Sequence, residues 1–403
     1  MNHILYGDGE HDDTSAIQEL LDAGPGHIQL PAPKVRYQIS RTLKIHSGQA
    51  LELPAYAEIR LMPGSSCRML TNALDNDSKS DRDIALIGGI WNANNVNQAM
   101  NPVHNPEHPY EGDGYARKTY PTYYRPQDFI GEAIQLQHIE NLSVRGLTVR
   151  NPTTFGIMIC YAKYFSVSDI FFDYTTCNPL FINMDGVHLD GGCSYGEIRN
   201  LRGVCFDDLV ALNADDVAYG PLSHIHVDGI YSENCHSAVR LLSAESRVDD
   251  IEISNVHGTF YAYGIGITKY HSINEKRGNY GTIVLRDIFC SGGKPAPGYW
   301  SPKGCPCIYF QGAIDVESLS IHEFHRTEEI KDLPSVLVEP PVHIRNLRID
   351  GYSHACTFKK DLDFLENDGQ IDELEVQHVT MPAELTITGS GKIGRKSGPF
   401  KAE

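Results

Sequence analysis

The sequence lacks the features that mark membrane and secreted proteins. It contains no run of 18 apolar residues, and its start, "MNHILYGDGE", has no basic segment followed by the apolar stretch of a signal peptide. Its 10 cysteines are scattered without a CxxC pair, which favours buried reduced thiols over disulfides or a zinc site. We therefore expect a cytoplasmic protein with no membrane segment, no required metal and no cofactor, and secretion by a non-classical route stays open as an alternative.

Positive charge is also scarce. Lys and Arg number 34 against 52 Asp and Glu, and the formal net charge is -18. Such a balance excludes a broad electrostatic attraction to nucleic acid or to an anionic membrane. The length of 403 residues allows either several compact domains or one elongated repeat, and it leaves the formation of a homo-oligomer open.

A repeated alternation of apolar and polar residues runs through the chain from about residue 84. "IENLSVRGLTVRN" at 139 to 151 is echoed by "SHIHVDGIYSEN" at 223 to 234 and by "PVHIRNLRIDGYS" at 341 to 353, among others. Strands with one buried face have this pattern. Aligned apolar positions recur at steps of 23 to 38 residues, one step for each predicted coil: Val144, Val167, Ile198, Ile225, Ile251, Ile283, Ile321, Ile344 and Leu374.

No helical periodicity fills the gaps between these runs, so a doubly wound sheet and a (β/α) barrel are disfavoured. A propeller would need four antiparallel strands in each blade, with hairpin turns that the sequence does not show. The prediction is an all-β, single-stranded, right-handed parallel β-helix, a solenoid, over residues 139 to 381 of a single domain that spans 1 to 403.

The two ends and one loop of this solenoid have their own predictions. In region 1 to 40, "SAIQELLDA" is predicted to form a short capping helix, with Asp13 or Thr14 at its N-cap. Its apolar stripe is Ile17, Leu20 and Leu21, and residues 382 to 403 are expected to be a tail. Loop 99 to 128 is rich in Tyr and His, which suits sugar binding, although packing on the outside or a subunit contact would also explain it.

Three aspartates occur in two motifs that are one coil length apart. "NMDG" supplies Asp185, and "FDD" supplies Asp207 and Asp208, which follow by 22 and 23 residues. Neighbouring coils lie about 4.8 Å apart, so these carboxylates should gather, and their repulsion should keep one of them protonated. A protonated and an ionised carboxyl are what glycoside hydrolysis requires. Asp-Gly and Asp-Asp also simply mark turns, and that alternative stays open.

These motifs resemble those of glycoside hydrolase family 28, the polygalacturonase-like proteins on the pectin-lyase-like right-handed β-helix. "NMDG", with Asn183, is similar to the family's N-T-D-G; "FDD" is similar to its G/Q-D-D, and "CHS" around His236 to its G-H-G. The resemblance implies that Asp207 is the general acid and that Asp185 and Asp208 activate water. It also implies that His236 supports the acid or binds the sugar.

The family's R-I-K motif is not kept. In "YGIGITKYH", Gly266 and Thr268 occupy the two basic positions, which hold a galacturonate carboxylate in pectinases, and Lys269 follows one place on. Arg240 or Lys269 is the candidate replacement, and either would suit another sugar. His188 is expected on the same face as the carboxylates if Val187 and Leu189 point inward. The predicted substrate-binding residues are Asn183, His188, His236, Arg240 and Lys269.

The leading hypothesis is an inverting glycoside hydrolase that acts on an oligo- or polysaccharide. One alternative is a polysaccharide lyase on the same fold, with Arg or Lys as base and often with calcium. Another is a solenoid that binds glycan without catalysis. Product absorbance of an unsaturated uronide distinguishes the lyase, and binding without turnover distinguishes the non-catalytic solenoid.

Overall fold

A computed structural model describes residues 4 to 74, 80 to 100, 129 to 269, 275 to 298, 306 to 359, 362 to 380 and 384 to 401. Within these ranges the strands pair in parallel, each with the strands one coil before and one coil after it. The chain therefore winds as a right-handed parallel β-helix, as the sequence predicts. Residues 101 to 128, which make up most of the long loop predicted at 99 to 128, lie outside the described residues.

Two sets of hydrogen-bonded strands form the walls of the solenoid. The short-strand sheet has 12 strands: Leu43–Ile45, Leu70–Asn72, Ile134–Gln137, Ile157–Cys160, Val187–Asp190, Asp208–Asn213, Ser237–Leu242, Ile265–Lys269, Ile308–Gly312, Val336–Val338, Leu365–Asn367 and Ile387–Thr388. The long-strand sheet has 19 strands: Asp8–Asp12, Gly26–Gln29, Arg36–Ile39, Gln49–Glu52, Glu58–Leu61, Asp81–Ile87, Ile90–Asn92, Ile139–Arg145, Thr148–Arg150, Lys163–Ser168, Phe171–Asp173, Ser194–Val204, Leu222–Cys235, Arg247–Phe260, Gly278–Gly292, Ile314–Glu328, His343–Cys356, Gln370–Val379 and Lys392–Ser397.

The long-strand sheet bends at one position in each coil. Ser194–Val204 pairs with both Lys163–Ser168 and Phe171–Asp173, so one long strand continues two shorter ones of the previous coil. At the bend the chain adopts a left-handed conformation, which Gly, Asn and Asp tolerate best. The residues with positive φ at this corner, coil by coil, are Gly146, Asp169, Asn200, Gly229, Asn255, Asp287, Glu323, Gly351 and His378.

Apolar residues of each coil stack on those of the next inside the solenoid, and they form one continuous core. The predicted alignment of these positions is partly wrong. Val144, Val167 and Ile198 do pair, but the next member of their column is Val227, whereas Ile225 pairs with Gly196 in a neighbouring column. Inward positions two residues apart are chemically alike, so the sequence pattern alone does not separate the two columns.

The ladder extends beyond the predicted range of 139 to 381. Strands pair in parallel from Asp8–Asp12 onward, so coils already occur inside the predicted cap region 1 to 40. Within the predicted tail 382 to 403, Ile387–Thr388 and Lys392–Ser397 add one more coil to the two sheets. Short strands with few apolar residues, such as the basic "KIGRKS", give a weaker alternation than those of the central coils.

The predicted N-terminal helix is present as Thr14–Leu21, an α-helix; a 3-10 turn also occurs at Asn95–Asn97. Ile17 and Leu21 are fully buried, but Leu20 is exposed, so the predicted stripe is narrower. Asp13 stands at the N-cap without a capping side-chain hydrogen bond. Its carboxylate instead accepts from the backbone N–H groups of Tyr6 and Gly7, at 2.6 and 3.1 Å, and so ties down the segment before the helix.

Most of the described cysteines are buried, as the sequence predicts. Nine free cysteines are described, and six of them are buried. In the same part of the chain, no helix is long and apolar enough to cross a membrane.

Candidate active site

Asp185 and Asp208 lie on neighbouring rungs of the solenoid. Strands Val187–Asp190 and Asp208–Asn213 pair with Val187 opposite Val210, and the Gly186 N–H donates to the Asp208 carbonyl at 2.9 Å. The predicted ladder of carboxylates therefore exists, and Asp208 is its second member. Both side chains are buried, with 1% and 0% of their surface exposed.

Polar groups from the next two coils surround the Asp208 carboxylate. Ser237, which is its register partner, donates its hydroxyl to Oδ1, and Tyr263 donates to the same oxygen at 3.1 Å. The Arg240 Nε lies 3.0 Å from Oδ2. A buried carboxyl group is stabilised by such a set of neighbours, one of them cationic, so Asp208 is held in place.

Asp207 occupies the turn just before this strand, and it is the most exposed of the three carboxylates. Its side chain is 14% exposed, and its Oδ1 lies 3.5 Å from the His236 Nδ1. The Asn183 backbone N–H donates to Oδ2 at 3.0 Å, from a residue whose φ of 53° is left-handed. Asn183 thus contributes its backbone to the site. The strands at 208 and 237 begin one coil apart, which brings Asp207 and His236 together.

The electrostatic surroundings of Asp207 favour its protonated form. The pKa of Asp207 is raised to about 7. Burial is the largest cause, and the negative charges of Asp208 and Asp185 act in the same direction, while His236 and Arg240 oppose the shift. The charge effect that the sequence predicts is present, but loss of solvation is the larger cause. A carboxyl that keeps its proton near neutral pH and retains contact with solvent can serve as a general acid.

His188 requires a correction. It lies on the outward row of the short-strand sheet as predicted, since Val187 and Leu189 point into the core. However, it is fully buried; its Nδ1 is 2.6 Å from Asp185 Oδ2, and Phe155 stacks on its ring at 3.9 Å. A side chain without exposed surface does not touch a sugar, so His188 is a partner of Asp185 instead.

Lys269 lies at the far end of its strand, Ile265–Lys269. Its ammonium group donates to the Lys276 carbonyl, and burial lowers its pKa while Glu275, Asp215 and Glu245 oppose that shift. Arg240, in contrast, contacts Asp208 directly. Of the two proposed replacements for the missing basic motif, Arg240 is the one that the structure brings to the carboxylates.

An aromatic ring occupies the space beside Gly266, where the first basic residue of that motif would stand. A Cβ atom added at Gly266 would lie 2.7 Å from the ring of Tyr263. Tyr309 neighbours that ring, with ring centroids 5.9 Å apart. The departure from the R-I-K pattern is therefore linked to the tyrosine that donates to Asp208, and a longer side chain at 266 would displace it.

Asp207, Asp208 and His236 are also the group that comes nearest to a metal-ligand set among the described residues. One possible ligand atom from each lies within 4.8 Å of the others. Arg240 already stands against Asp208, and its guanidinium must move before a cation could enter. The expectation that no metal is required stays a prediction.

The structure brings Asp185, Asp207, Asp208, His236 and Arg240 together, as the sequence predicts, although the two central carboxylates are buried rather than exposed in a cleft. Ser237, Tyr263 and Asp190 were missed. Their only signal in the sequence is that they fall on the same coil positions as recognised site residues, and that signal becomes readable only once the register is known.

No protein-family model matches the sequence, and no curated protein matches it either. The fold is similar to that of an endo-xylogalacturonan hydrolase from Aspergillus tubingensis, with 14% identity, a TM-score of 0.58 and coverage of 96% of this chain and 97% of that chain. It is also similar to a family 28 exopolygalacturonase from Yersinia enterocolitica, with 14% identity, a TM-score of 0.52 and coverage of 96% and 76%.

A third similar structure is a surface adhesin of Streptococcus pneumoniae, with 14% identity, a TM-score of 0.54 and coverage of 97% of this chain and 90% of that chain. The same architecture therefore occurs in glycan hydrolases and in an adhesin. At these identities the comparisons show the fold alone, and on that level they confirm the resemblance: the chain has the right-handed parallel β-helix fold found in family 28 glycoside hydrolases.

Proposed function

We propose that the protein is a glycoside hydrolase that cleaves an oligo- or polysaccharide, with inversion at the anomeric carbon. The observation that carries the proposal is the convergence of Asp207 with Asp185 and Asp208. Asp207 is partly exposed and lies next to the imidazole of His236, and the buried Asp185 and Asp208 lie on adjacent rungs. Fold similarity to two glycan hydrolases supports the substrate class, whereas the adhesin shows that the fold by itself does not imply turnover.

The proposed chemistry divides the work between the carboxyl groups. Asp207 donates a proton to the oxygen of the leaving sugar. Asp185 and Asp208 together activate the attacking water, and one of them accepts its proton. Water attacks the anomeric carbon from the opposite side, the bond to the leaving oxygen breaks, and the water proton ends on a carboxylate. Release of products and exchange of that proton with solvent restore the starting state.

His236 and Arg240 support this division. His236 lies 3.5 Å from Asp207 and re-protonates it or contacts the sugar, while Arg240 holds Asp208 in place. Asn183 fixes Asp207 through its backbone N–H. Proton transfer by a positioned acid contributes about two to four powers of ten to a rate, so the loss of Asp207 should be measurable on any true substrate.

The test is a screen of neutral and acidic glycans for product release by the wild type, Asp207→Asn and Asp250→Asn. Asp250 is an exposed carboxylate on the long-strand sheet, and it undergoes the same charge change far from the proposed acid. We expect Asp207→Asn to lose about two to four powers of ten in kcat with little change in KM, because Asn keeps the shape but donates no proton. Wild-type activity should fall as the pH rises through about 7, where Asp207 ionises.

Three results would contradict the proposal. An unsaturated uronide product, seen by its ultraviolet absorbance, would indicate a lyase. Glycan binding without turnover in the wild type would indicate a non-catalytic solenoid. Near-normal turnover in Asp207→Asn would remove the acid assignment. Proton NMR of the first-formed anomer tests inversion separately, since inverting enzymes place their carboxyl groups far enough apart for a water molecule.

A further inference from the structure

A buried chain of ionisable groups lies behind Asp185. The His188 Nδ1 is 2.6 Å from Asp185 Oδ2, and on the other side of the ring the His188 Nε2 is 3.6 Å from Asp190 Oδ2. All three side chains are at most 1% exposed. An imidazole between two carboxylates in the protein interior is costly to desolvate unless its charges are compensated, so the arrangement calls for a physical reason.

The chain is held rigidly at its inner end. Asp190 Oδ2 accepts from the backbone N–H groups of Val217 and Ala218, at 2.7 and 2.9 Å. Phe155 stacks on the imidazole with an angle of 17° between the rings. One face of His188 and its Nδ1 are therefore fixed, while its Nε2 faces Asp190 at ion-pair distance without a hydrogen bond among the described residues.

The outer end of the chain is different. Asp185 uses one oxygen for His188, while its other oxygen, Oδ1, has no hydrogen-bond partner among the described residues. Asp208 stands on the next rung, and its charge and that of Arg240 act on Asp185. Asp185 thus has one oxygen bound to the chain behind it and one buried oxygen that can still accept a hydrogen bond from a water molecule.

We propose that His188 and Asp190 are positioning residues that keep Asp185 ionised and oriented, so that Asp185 rather than Asp208 is the base that accepts the proton of water. This inference rests on the proposed function and assigns one step of it. Asp208 is left with an electrostatic role, because its two oxygens already face Ser237, Tyr263 and Arg240. Neither positioning residue touches the substrate.

The pKa of His188 agrees with this geometry. Burial alone lowers the pKa of His188, but its contacts with Asp185 and Asp190 outweigh burial and raise the pKa to about 10. The pKa of Asp185 is raised overall, because burial outweighs the contact with His188, which is the largest effect that lowers it. Without the imidazolium, Asp185 should hold its proton to a higher pH.

Other charged and titratable groups act on this chain from neighbouring elements. Asp208 and Arg240 act on Asp185 from the next two coils, and Asp216 raises the pKa of Asp190 from the turn that follows Asp208–Asn213. The thiols of Cys160 and Cys193 also lie near Asp190, but burial raises their pKa values, so they stay neutral.

The first experiment needs no substrate. Protein with 15N-labelled histidine is titrated by NMR, with the His188 signals assigned from their loss in His188→Asn. We expect the wild-type ring to stay doubly protonated above pH 9, and its pKa to fall by about one to three pH units in Asp185→Asn and in Asp190→Asn. A His188 ring that is neutral at pH 7 in the wild type would overturn the proposal, whatever the enzyme does to glycans.

The second experiment uses an active substrate and follows kcat/KM against pH. Loss of the imidazolium should move the acidic limb, where Asp185 ionises, upward by about one to three pH units in His188→Asn, and by less in Asp190→Asn. His224→Asn is the matched control, since His224 also pairs with an aspartate, Asp250, but on the exposed side of the solenoid. It should leave the profile unchanged.

A purely structural role would give another result. Equal loss of activity at every pH in both variants, with an unmoved acidic limb, would overturn the proposal even if the proteins remain folded. If His188→Asn does not fold, the pH profile of Asp190→Asn is measured in its place. A wild type that turns over no glycan would contradict the proposed function, and the NMR titration would then still decide whether His188 carries the charge.

Discussion

At the scale of single residues, the environment of each carboxyl group matters more than its identity. Asp207 and Asp208 are adjacent in the sequence, yet one lies in a turn beside His236 and the other in a strand under Arg240. Loss of solvation outweighs the opposing effects of His236 and Arg240 and raises the pKa of Asp207 to about 7, whereas Asp208 is surrounded by donors. Two identical side chains can thus carry a proton donor role and an electrostatic role.

The same environment predicts that Asp207 reduces stability at alkaline pH. Its folded-state pKa of about 7 exceeds the value of about 4 expected in an unfolded chain, so the folded state binds the proton more tightly. Stability that is present below pH 4 is lost as the pH rises to 7. We expect the free energy of unfolding of Asp207→Asn, relative to wild type, to rise by an amount on the order of a few kcal/mol between pH 4 and 8.

Urea unfolding at several pH values measures this difference, and Asp250→Asn serves as the control, because its carboxylate is exposed. A relative stability of Asp207→Asn that stays constant from pH 4 to 8 would show that Asp207 ionises without penalty, and it would also weaken its assignment as the general acid.

At the scale of elements, turns between coils position the site as much as the strands do. The turn at 260 to 262 follows strand Arg247–Phe260, and its Tyr261 ring meets the ring of His236 edge-on, with centroids 5.2 Å apart. Lys331, from a later coil, donates its ammonium group to the carbonyls of Phe260, Tyr261 and Ala262 at 3.2, 2.6 and 3.2 Å. One cation thus satisfies three carbonyl groups beside the candidate site.

Lys331→Met should therefore destabilise the protein by about 1.5 to 3 kcal/mol, since Met keeps most of the apolar stem but leaves the carbonyls without their charged donor. Lys359→Met is the control, because Lys359 forms an ion pair with Asp332 at the surface, and such pairs contribute about 0 to 1 kcal/mol. Thermal and urea unfolding measure both variants. Equal, small effects would show that the turn does not depend on Lys331.

At the scale of the whole molecule, the solenoid is a stack in which each coil contacts its neighbours. Leu285 is fully buried and pairs with Ile253 in the coil before it and with Ile321 in the coil after it. Leu285→Ala should cost about 2 to 5 kcal/mol through the cavity it leaves. In a one-dimensional stack the damage should stay local at first.

Hydrogen exchange read by mass spectrometry tests this locality. In Leu285→Ala we expect faster exchange in Arg247–Phe260, Gly278–Gly292 and Ile314–Glu328, with little change in the early strands Arg36–Ile39 and Glu58–Leu61. A matched Leu51→Ala substitution, at another fully buried leucine, should give the reverse distribution. Uniform loss of protection in both variants would indicate that the whole molecule opens as a single cooperative unit.

The amino-acid pattern alone was enough to predict the class of fold and most residues of the candidate site. Alternating apolar residues at coil spacing, with no helical period between them, leave the stacked parallel helix as the arrangement that buries them. The spacing of Asp185 and Asp208 by one coil then predicts that they meet. These conclusions depend on local chemistry and on chain length, which a sequence states directly.

The register of the coils, the burial of each group and the partner of each polar atom could not be predicted from the sequence, because they depend on the folded chain. A shift of two residues keeps the same inward face, so the pattern did not tell Ile225 from Val227, and it did not predict that Ser237 meets Asp208. His188 lies on the predicted face, but its burial depends on Phe155, which comes from another coil. This burial is the reason why His188 contacts Asp185 and not a sugar. Solvation and pairing are properties of many distant residues at once, and they exist only after the chain has folded.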